Sequence, residues 1–239
     1  MGLLKDTMMC QHHIAVSDEQ EDKLLAYLRG IMEVNKNINL TRILSEESGI
    51  VLHIEDSLAA LPYIENAPSG VYVDLGTGGG FPGVPVHIMS GRKTVLVDSV
   101  QKKLRAIEPV IRSIGIEDGV SYYAGRIEDL ARKHRGEFAI ATARALTSLP
   151  ALLELSSPLL IKGGRLICFK AQPSAEELHD ADYVASLVGL ELVKDESFLL
   201  SDESQRRFLV YEKVGKGKIK LPRNIGMAQK HPLSERNKR

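Results

Sequence analysis

The chain of 239 residues contains no tryptophan, only two cysteines, and no surplus of either charge, 31 Lys+Arg standing against 31 Asp+Glu. Each shortage closes off a class of protein. Cys10 and Cys168 lie most of the chain apart, so they make neither a disulfide framework nor a zinc site. None of the seven histidines falls in an HExxH or paired-ligand spacing, and no metal is expected. No apolar run approaches the ~18 residues that cross a bilayer, and the opening MGLLKDTMMCQHH has Asp6 and two histidines where a signal peptide needs an apolar stretch. A cytoplasmic protein without membrane attachment is expected. Asn39-Leu40-Thr41 matches a glycosylation sequon, which without secretion is a chance match.

What is present is ordinary in amount: 44% apolar and 26% charged residues exclude a disordered or collagen-like chain. At about 150 residues per domain the length suits one α/β domain with an extension. The zero net charge hides a segregation. From Lys213 onward there are nine basic residues and one acid, Glu235, leaving the rest of the chain eight charges negative. A frayed, solubilising terminus is the bland reading. The other is an arm that seeks phosphate, since each phosphate neutralised by Lys or Arg releases a counterion. Leu221, Pro222 and Ile225 favour a segment that docks in part, because proline restricts the backbone and apolar side chains seek cover.

Ser17 with Gln20 forms a capping-box pattern ahead of Leu24, Leu25, Leu28, Ile31 and Met32 at helical spacing. Ser45 can cap a second helix with Ile50, Val51, Ile54, Leu58 and Leu61 on its apolar face, ending near Pro62. After Ala67-Pro68-Ser69-Gly70, short apolar runs alternate with amphipathic stretches. Strands are expected near 71–75, 94–98, 120–124, 138–143, 164–170, 190–199 and 207–213, and helices near 83–90, 100–114, 149–160 and 174–188. Such alternation implies a mostly parallel seven-stranded sheet, covered on both faces and closed by an antiparallel hairpin. The expected divisions are a helical extension (1–67), an α/β domain (68–213) and a basic tail (214–239).

Strand one runs into Asp74-Leu75-Gly76-Thr77-Gly78-Gly79-Gly80-Phe81-Pro82-Gly83. In a doubly wound sheet such a loop lies where a nucleotide-like ligand binds, and glycines let the backbone approach it. Asp98 at the end of strand two can accept hydrogen bonds from ribose hydroxyls. A dinucleotide needs its pyrophosphate held by N–H groups opening the next helix, yet Pro82 and Pro85 supply none. S-adenosylmethionine carries no phosphate, and its sulfonium and amino groups suit an acid such as Asp74. The methyl donor is favoured over the dinucleotide, and both over a glycine turn that binds nothing. Beyond strand three, Arg126 precedes Ile127 and Glu128, which can meet an adenine edge. Arg144 and Lys170 close strands four and five. Singly each suits a surface ion pair; with Arg126 they make candidates for positioning an anionic substrate backbone.

The chain resembles the GidB/RsmG family of bacterial 16S ribosomal RNA guanine-N7 methyltransferases. The resemblance covers nearly the whole chain and rests on Asn35-Lys36 with Asn39-Leu40-Thr41, on His53-Ile54-Glu55-Asp56-Ser57-Leu58, on GTGGGFPGVP from Gly76 to Pro85, on Leu96-Val97-Asp98-Ser99 followed by Lys102 and Lys103, and on Arg144-Ala145. It implies a Rossmann-like S-adenosylmethionine-dependent methyltransferase fold, with cofactor contacts at Gly76, Phe81, Ile127, Glu128 and Arg144; Asp74, Gly78 and Asp98 join them from the loop and ribose arguments. Val34, Ala139 and Ala171 depart from the family pattern, outside the glycine loop. The implied partner is 16S ribosomal RNA or a small-subunit assembly intermediate, met by a monomer.

Guanine N7 has an in-plane lone pair that is unprotonated at neutral pH, so no general base is needed and no catalytic side chain is assigned. Positioning remains, an effect that reaches ~7–11 kcal/mol in the best intramolecular cases. N7 is buried in the deep major groove of A-form RNA, so the guanine is expected in a loop or opened region. Cys168 reads as core and His53 as a satisfied core or cap histidine. Removing residues beyond Lys213 is expected to weaken RNA binding and leave S-adenosylmethionine binding unchanged. The rival readings are an NAD(P)-dependent oxidoreductase, a non-catalytic ribosome-assembly RNA-binding protein, and a methyltransferase of small molecules or proteins.

Overall fold

The computed structural model describes residues 3–235. Arg236, Lys238 and Arg239, counted above in the basic tail, lie outside them. In chain order the elements are α1 (Leu3–His12), α2 (Asp18–Asn35), α3 (Glu46–Gly49), a π-helical turn (Ile50–Glu55), α4 (Asp56–Leu58), α5 (Leu61–Glu65), β1 (Val71–Leu75), α6 (Gly83–Ser90), β2 (Thr94–Asp98), α7 (Gln101–Ser113), β3 (Val120–Ala124), α8 (Ile127–Lys133), β4 (Phe138–Arg144), α9 (Leu149–Ser156), β5 (Leu160–Lys170), α10 (Ala175–Val188), β6 (Leu190–Leu199), β7 (Gln205–Lys213) and α11 (Met227–Lys230).

The seven strands form one sheet in the order β3-β2-β1-β4-β5-β7-β6. β1 to β5 pair in parallel, and β7 inserts antiparallel between β5 and β6. Strand order reverses between β1 and β4, which places the ligand crevice of such a sheet outside their carboxyl ends. Side chains alternate across the pleat. Val73 and Leu75 pack with Leu130, Leu152 and Val184 of α8–α10, and Tyr72 packs with Ala60 and Val86 on the other face. A further core joins Leu24, Leu28 and Ile31 of α2 to Phe81, Leu96 and Ile107. Residues on both sides of the 67/68 division therefore share it.

Local chemistry accounts for most boundaries. The capping box at Ser17 is formed in both directions, Oγ accepting from Gln20 N at 3.2 Å and Gln20 Oε1 accepting from Ser17 N at 3.0 Å. Ser45 caps α3 through Ser48 N at 3.2 Å. That segment does not run on to Pro62, as its apolar spacing suggested. It passes through the π turn, breaks after α4, and Pro62 lies in the first turn of α5, where a missing N–H costs nothing. β5 starts earlier than expected because Gly163 and Gly164 are a bulge within the strand: pairing runs Phe138 with Leu160, then Ile140 with Arg165. A Cβ on Gly164 would press on the Phe138 and Ala139 carbonyls, both at 3.1 Å. α1 lies within the expected helical extension, though no bounds were expected for it, and α8 was not expected; no side-chain cap announces α8, whose N-cap is Arg126.

Candidate functional site

The carboxyl ends of β1 to β4 surround a cleft. Gly76 follows β1, Asp98 closes β2, Arg126, Ile127 and Glu128 follow β3, and Ala145 with Leu146 follows β4. Asp98 is buried. Its Oδ2 accepts from Gly78 N at 3.1 Å and its Oδ1 from Val100 N at 2.8 Å, so the loop and the β2–α7 turn are fastened to one carboxylate that still has lone pairs facing the cleft. Lys103 Nζ stands 4.0 Å from it. Ala145 adopts φ +52°, a left-handed conformation that a side-chain-bearing residue rarely takes outside constrained sites.

Glycines shape the loop. Gly80 sits at φ +83°, and a Cβ there would overlap the Tyr27 hydroxyl; Gly78, at φ +57°, has only Gly76 O within 4 Å of a Cβ. Tyr27 Oη donates to Gly79 O at 2.9 Å, and Leu40 and Ile31 lie behind Gly79. The loop is therefore backed by the N-terminal helices.

The start of α6 has no free donors. Gly83 N donates to Asp74 Oδ2 at 3.0 Å, Val84 N to Gly80 O at 2.7 Å, and Pro85 has no N–H. Asp74, expected to face a sulfonium, is turned inward: it is 1% exposed, its Oδ1 accepts from Thr142 Oγ1 at 2.8 Å, and burial raises its pKa against the pull of these bonds. Its work is to tie α6 to β4, and it does not reach the cleft.

Phe81 is also withdrawn from the cleft. It stacks on His53 with centroids 4.4 Å apart and planes 6° apart, and meets Tyr27 edge-on at 5.4 Å. His53 belongs to the π turn, a rare local form often found at functional sites. An uninterrupted buried stretch begins within the turn at His53 and runs on to Leu61, which puts His53, Glu55 and Asp56 all inside. Asp56 lies between two guanidinium groups, Arg144 Nη1 at 2.8 Å and Arg206 Nε at 3.0 Å. Arg144 also donates to Leu52 O at 2.9 Å and to His53 Nδ1 at 3.1 Å. Because Arg144 can only donate, the His53 proton is on Nε2 and goes to Thr41 Oγ1, 2.8 Å away. Burial and then the Arg144 charge push the His53 pKa down to about 3, so the ring is neutral. Asn35 completes the relay, taking Leu40 N and Thr41 N at 2.7 and 2.9 Å and donating to Thr41 O at 2.9 Å. Glu55 meanwhile accepts from Ser201 N at 2.9 Å and faces His12 Nε2 at 2.9 Å.

The three expected rim cations do not form one patch. Arg144 is held as described. Lys170 donates to Glu177 Oε1 at 2.7 Å and Thr147 O at 3.0 Å, the ion-pair role that the bland reading assigned it. Arg126 is exposed at the cleft edge and pairs with no carboxylate among the described residues. Glu128 lines the cleft, yet its Oε1 accepts from Gly226 N of the tail at 2.6 Å. The tail itself is docked. Arg223 forks onto buried Glu154, with Nε at 2.7 Å, Leu221 and Ala228 are buried, and Gln229 lines the cleft. Removal of the tail thus strips a wall from the cleft, so the cleft is not independent of it as the sequence suggested. Sequence reasoning also missed Leu146 and Gln229, which stand in no motif; Lys103 was signalled by its place after Leu96-Val97-Asp98-Ser99.

A family model described as "GidB: rRNA small subunit methyltransferase G" matches residues 20–207. A curated relative, "Ribosomal RNA small subunit methyltransferase G" of Streptococcus equi subsp. zooepidemicus (strain H70), is 33% identical over 228 residues, covering 93% of this chain and 95% of its own. In fold, the chain is similar to a geranyl diphosphate methyltransferase solved with GPP and sinefungin (TM-score 0.59, 14% identity, 82% of this chain and 100% of that one). It is likewise similar to an O-methyltransferase from Bacillus cereus solved with SAH (TM-score 0.58, 17% identity, 79% and 91%).

Proposed function

The chain belongs to the GidB family, rRNA small subunit methyltransferase G, and from that premise we propose that it methylates N7 of a guanine in 16S ribosomal RNA with S-adenosylmethionine as donor, acting as a cytoplasmic monomer. The observation that carries the choice of cofactor is the first turn of α6. Its donors are spent on Asp74 and Gly80 or absent at Pro85, which leaves no anion site for a pyrophosphate and disfavours the nicotinamide reading. The residues fit a nucleoside: Asp98 offers acceptors to ribose hydroxyls, and the Gly125–Ile127 backbone and Leu146 flank the space for a base. When bound, S-adenosylmethionine supplies the electrophilic methyl group.

This chain's own residues orient and enclose. Gly76 lets the backbone come close, Gly78 ties the loop to Asp98, Glu128 and Gln229 close one wall, and Arg126 at the exposed edge is the cation offered to the RNA backbone. Guanine N7 carries no proton, so no residue has to remove one. His53, held neutral, is not asked to act as a base; it and Asp56 fix Arg144 at the end of β4. Phe81 and Asp74 support the loop from behind.

The test is to map 7-methylguanine in small-subunit RNA from cells with and without the protein, alongside calorimetric titration with S-adenosylmethionine and with NADPH. The expected result is loss of one modification and binding of the first ligand alone. Cofactor binding with an unchanged modification map would leave a small-molecule or protein methyltransferase. Absence of cofactor binding would leave a ribosome-assembly RNA-binding protein.

A further inference from the structure

At the amino ends of β4 and β5, the far side of the sheet from the cleft, five cations line a single hollow: Arg135 ahead of β4, Lys162 within the first residues of β5, Lys213 at the end of antiparallel β7, and Lys216 and Lys220 beyond it. No Asp or Glu is in that lining, and among the described residues none of the five forms an ion pair. Arg144, Lys170, Arg206, Arg207 and Arg223 are by contrast each matched to a carboxylate, and the cleft-edge Arg126 has no second unpaired cation beside it in the cleft lining, where Lys103 stands against Asp98. The hollow is built. Val214 N donates to Gly189 O at 3.1 Å and Lys218 N to Leu187 O at 2.7 Å, so this stretch is pinned to the end of α10. Lys216, Lys218 and Lys220 are exposed at alternate positions, between the less exposed Gly217 and Ile219. Lys213 Nζ is anchored on Ser157 Oγ and Val188 O, each at 2.6 Å. Burial, and next the charge of Arg135, push its pKa down to about 8. Cations gathered without an acid repel one another, and an anion placed among them relieves that repulsion.

We propose that this hollow is a second RNA-contact surface, which grips phosphates of the small-subunit ribosomal RNA while the target guanine occupies the cleft at the opposite end of the sheet. The identity of the partner rests on the function proposed above; the charge arrangement does not. β4 spans the two places, Phe138 near the hollow and Arg144 at the cleft end, seven residues that at ~3.3 Å each separate them by roughly 20 Å. The two places open at opposite ends of the strands, so an RNA that meets both has to pass around the body of the protein, as a folded RNA or assembled particle can and a short hairpin seated in the cleft does not.

The experiment is equilibrium binding of the full chain, and of a Lys162→Gln/Lys216→Gln/Lys220→Gln variant, to full-length 16S ribosomal RNA and to a short RNA hairpin over a series of salt concentrations. At ~0.7–0.9 per phosphate contact, the variant's log–log salt slope for the long RNA is expected to shrink by about two to three. Its affinity for the hairpin, its affinity for S-adenosylmethionine and its melting temperature are expected to stay as they were. All three substitutions are at lysines outside the core, so a folded variant is expected, and the cofactor titration verifies it. An unchanged slope for the long RNA overturns the proposal, as does an equal loss on the hairpin, which would place these lysines at the cleft. Loss of binding to phosphatidylserine vesicles with RNA binding intact would make the hollow a lipid surface and overturn it too. Binding is read without turnover: an inactive protein whose variant still shows the smaller slope refutes the enzymatic reading and leaves the hollow standing.

Discussion

Acid unfolding offers a direct test of the His53 relay. In the folded chain His53 is buried against Phe81, donates from Nε2 to Thr41 and accepts at Nδ1 from Arg144. Its pKa lies at about 3, against ~6.5 in an unfolded chain. Above about pH 6.5 the ring is neutral in both states and titration contributes nothing. Between about 6.5 and 3 the unfolded chain binds a proton that the folded one refuses, so stability falls as pH falls, by up to ~1.4 kcal/mol per unit. From pH 7 to pH 5 this amounts to about 2 kcal/mol from one residue, or roughly 4–8 °C in melting temperature for a chain of this size. Urea unfolding of the wild type and of His53→Asn at pH 7, 6 and 5 measures it. Asparagine keeps a polar side chain beside Arg144 but takes up no proton. The variant starts less stable at pH 7, having lost the ring stack, yet is expected to lose about 2 kcal/mol less than wild type on acidification; the remaining carboxylates titrate alike in both and cancel. Parallel losses in the two proteins would refute the buried neutral histidine.

Asp98→Asn removes the charge from the acceptor that faces the cleft, and cofactor affinity is expected to fall about 10- to 100-fold by calorimetry, the scale of a hydrogen bond to a charged group; an unaltered Kd would remove Asp98 from the site. Gly80→Ala forces a side chain into left-handed backbone and into the Tyr27 hydroxyl, a loss of about 1–3 kcal/mol in urea unfolding, and Tyr27→Phe is expected to restore part of it; purely additive losses would count against that clash. Arg223→Ala leaves the Glu154 carboxylate buried and unpaired, a penalty of about 3–5 kcal/mol if the tail stayed in place. The tail is expected to release instead, seen as early hydrogen exchange over residues 219–230 with weaker cofactor binding. Unchanged exchange there would mean that Arg223 does not hold it.

The parallel sheet was legible because each strand is a short apolar run closed by a turn residue, and α2 because Ser17 and Gln20 mark its start. α8 was not, since Arg126 provides no side-chain cap. The site was legible where a residue type has one use in one place: Asp98 ending β2, glycines opening after β1. It was not where long-range packing decides. Asp74 sits in the loop motif but is spent on Gly83 and Thr142. Arg144 and Lys170 were grouped with Arg126 for positioning an anionic backbone because their carboxylates, Asp56 and Glu177, are distant in sequence or on another helix. Glu128 meets Gly226 of the tail 98 residues away, and Gln229 of the same tail reaches the cleft, placements no local pattern encodes.

The support behind the glycine loop has a further consequence. With Tyr27, Ile31 and Leu40 against Gly79 and Gly80, and His53 flat on Phe81, the cradle is stiff before any ligand arrives and has little disorder left to surrender on binding. Whatever motion admits a bulky nucleic acid must therefore come from the unbacked side, where Ala145 and Arg126 border the opening. The N-terminal helices serve this protein as an anvil: they do not touch the cleft, and they keep its floor from yielding.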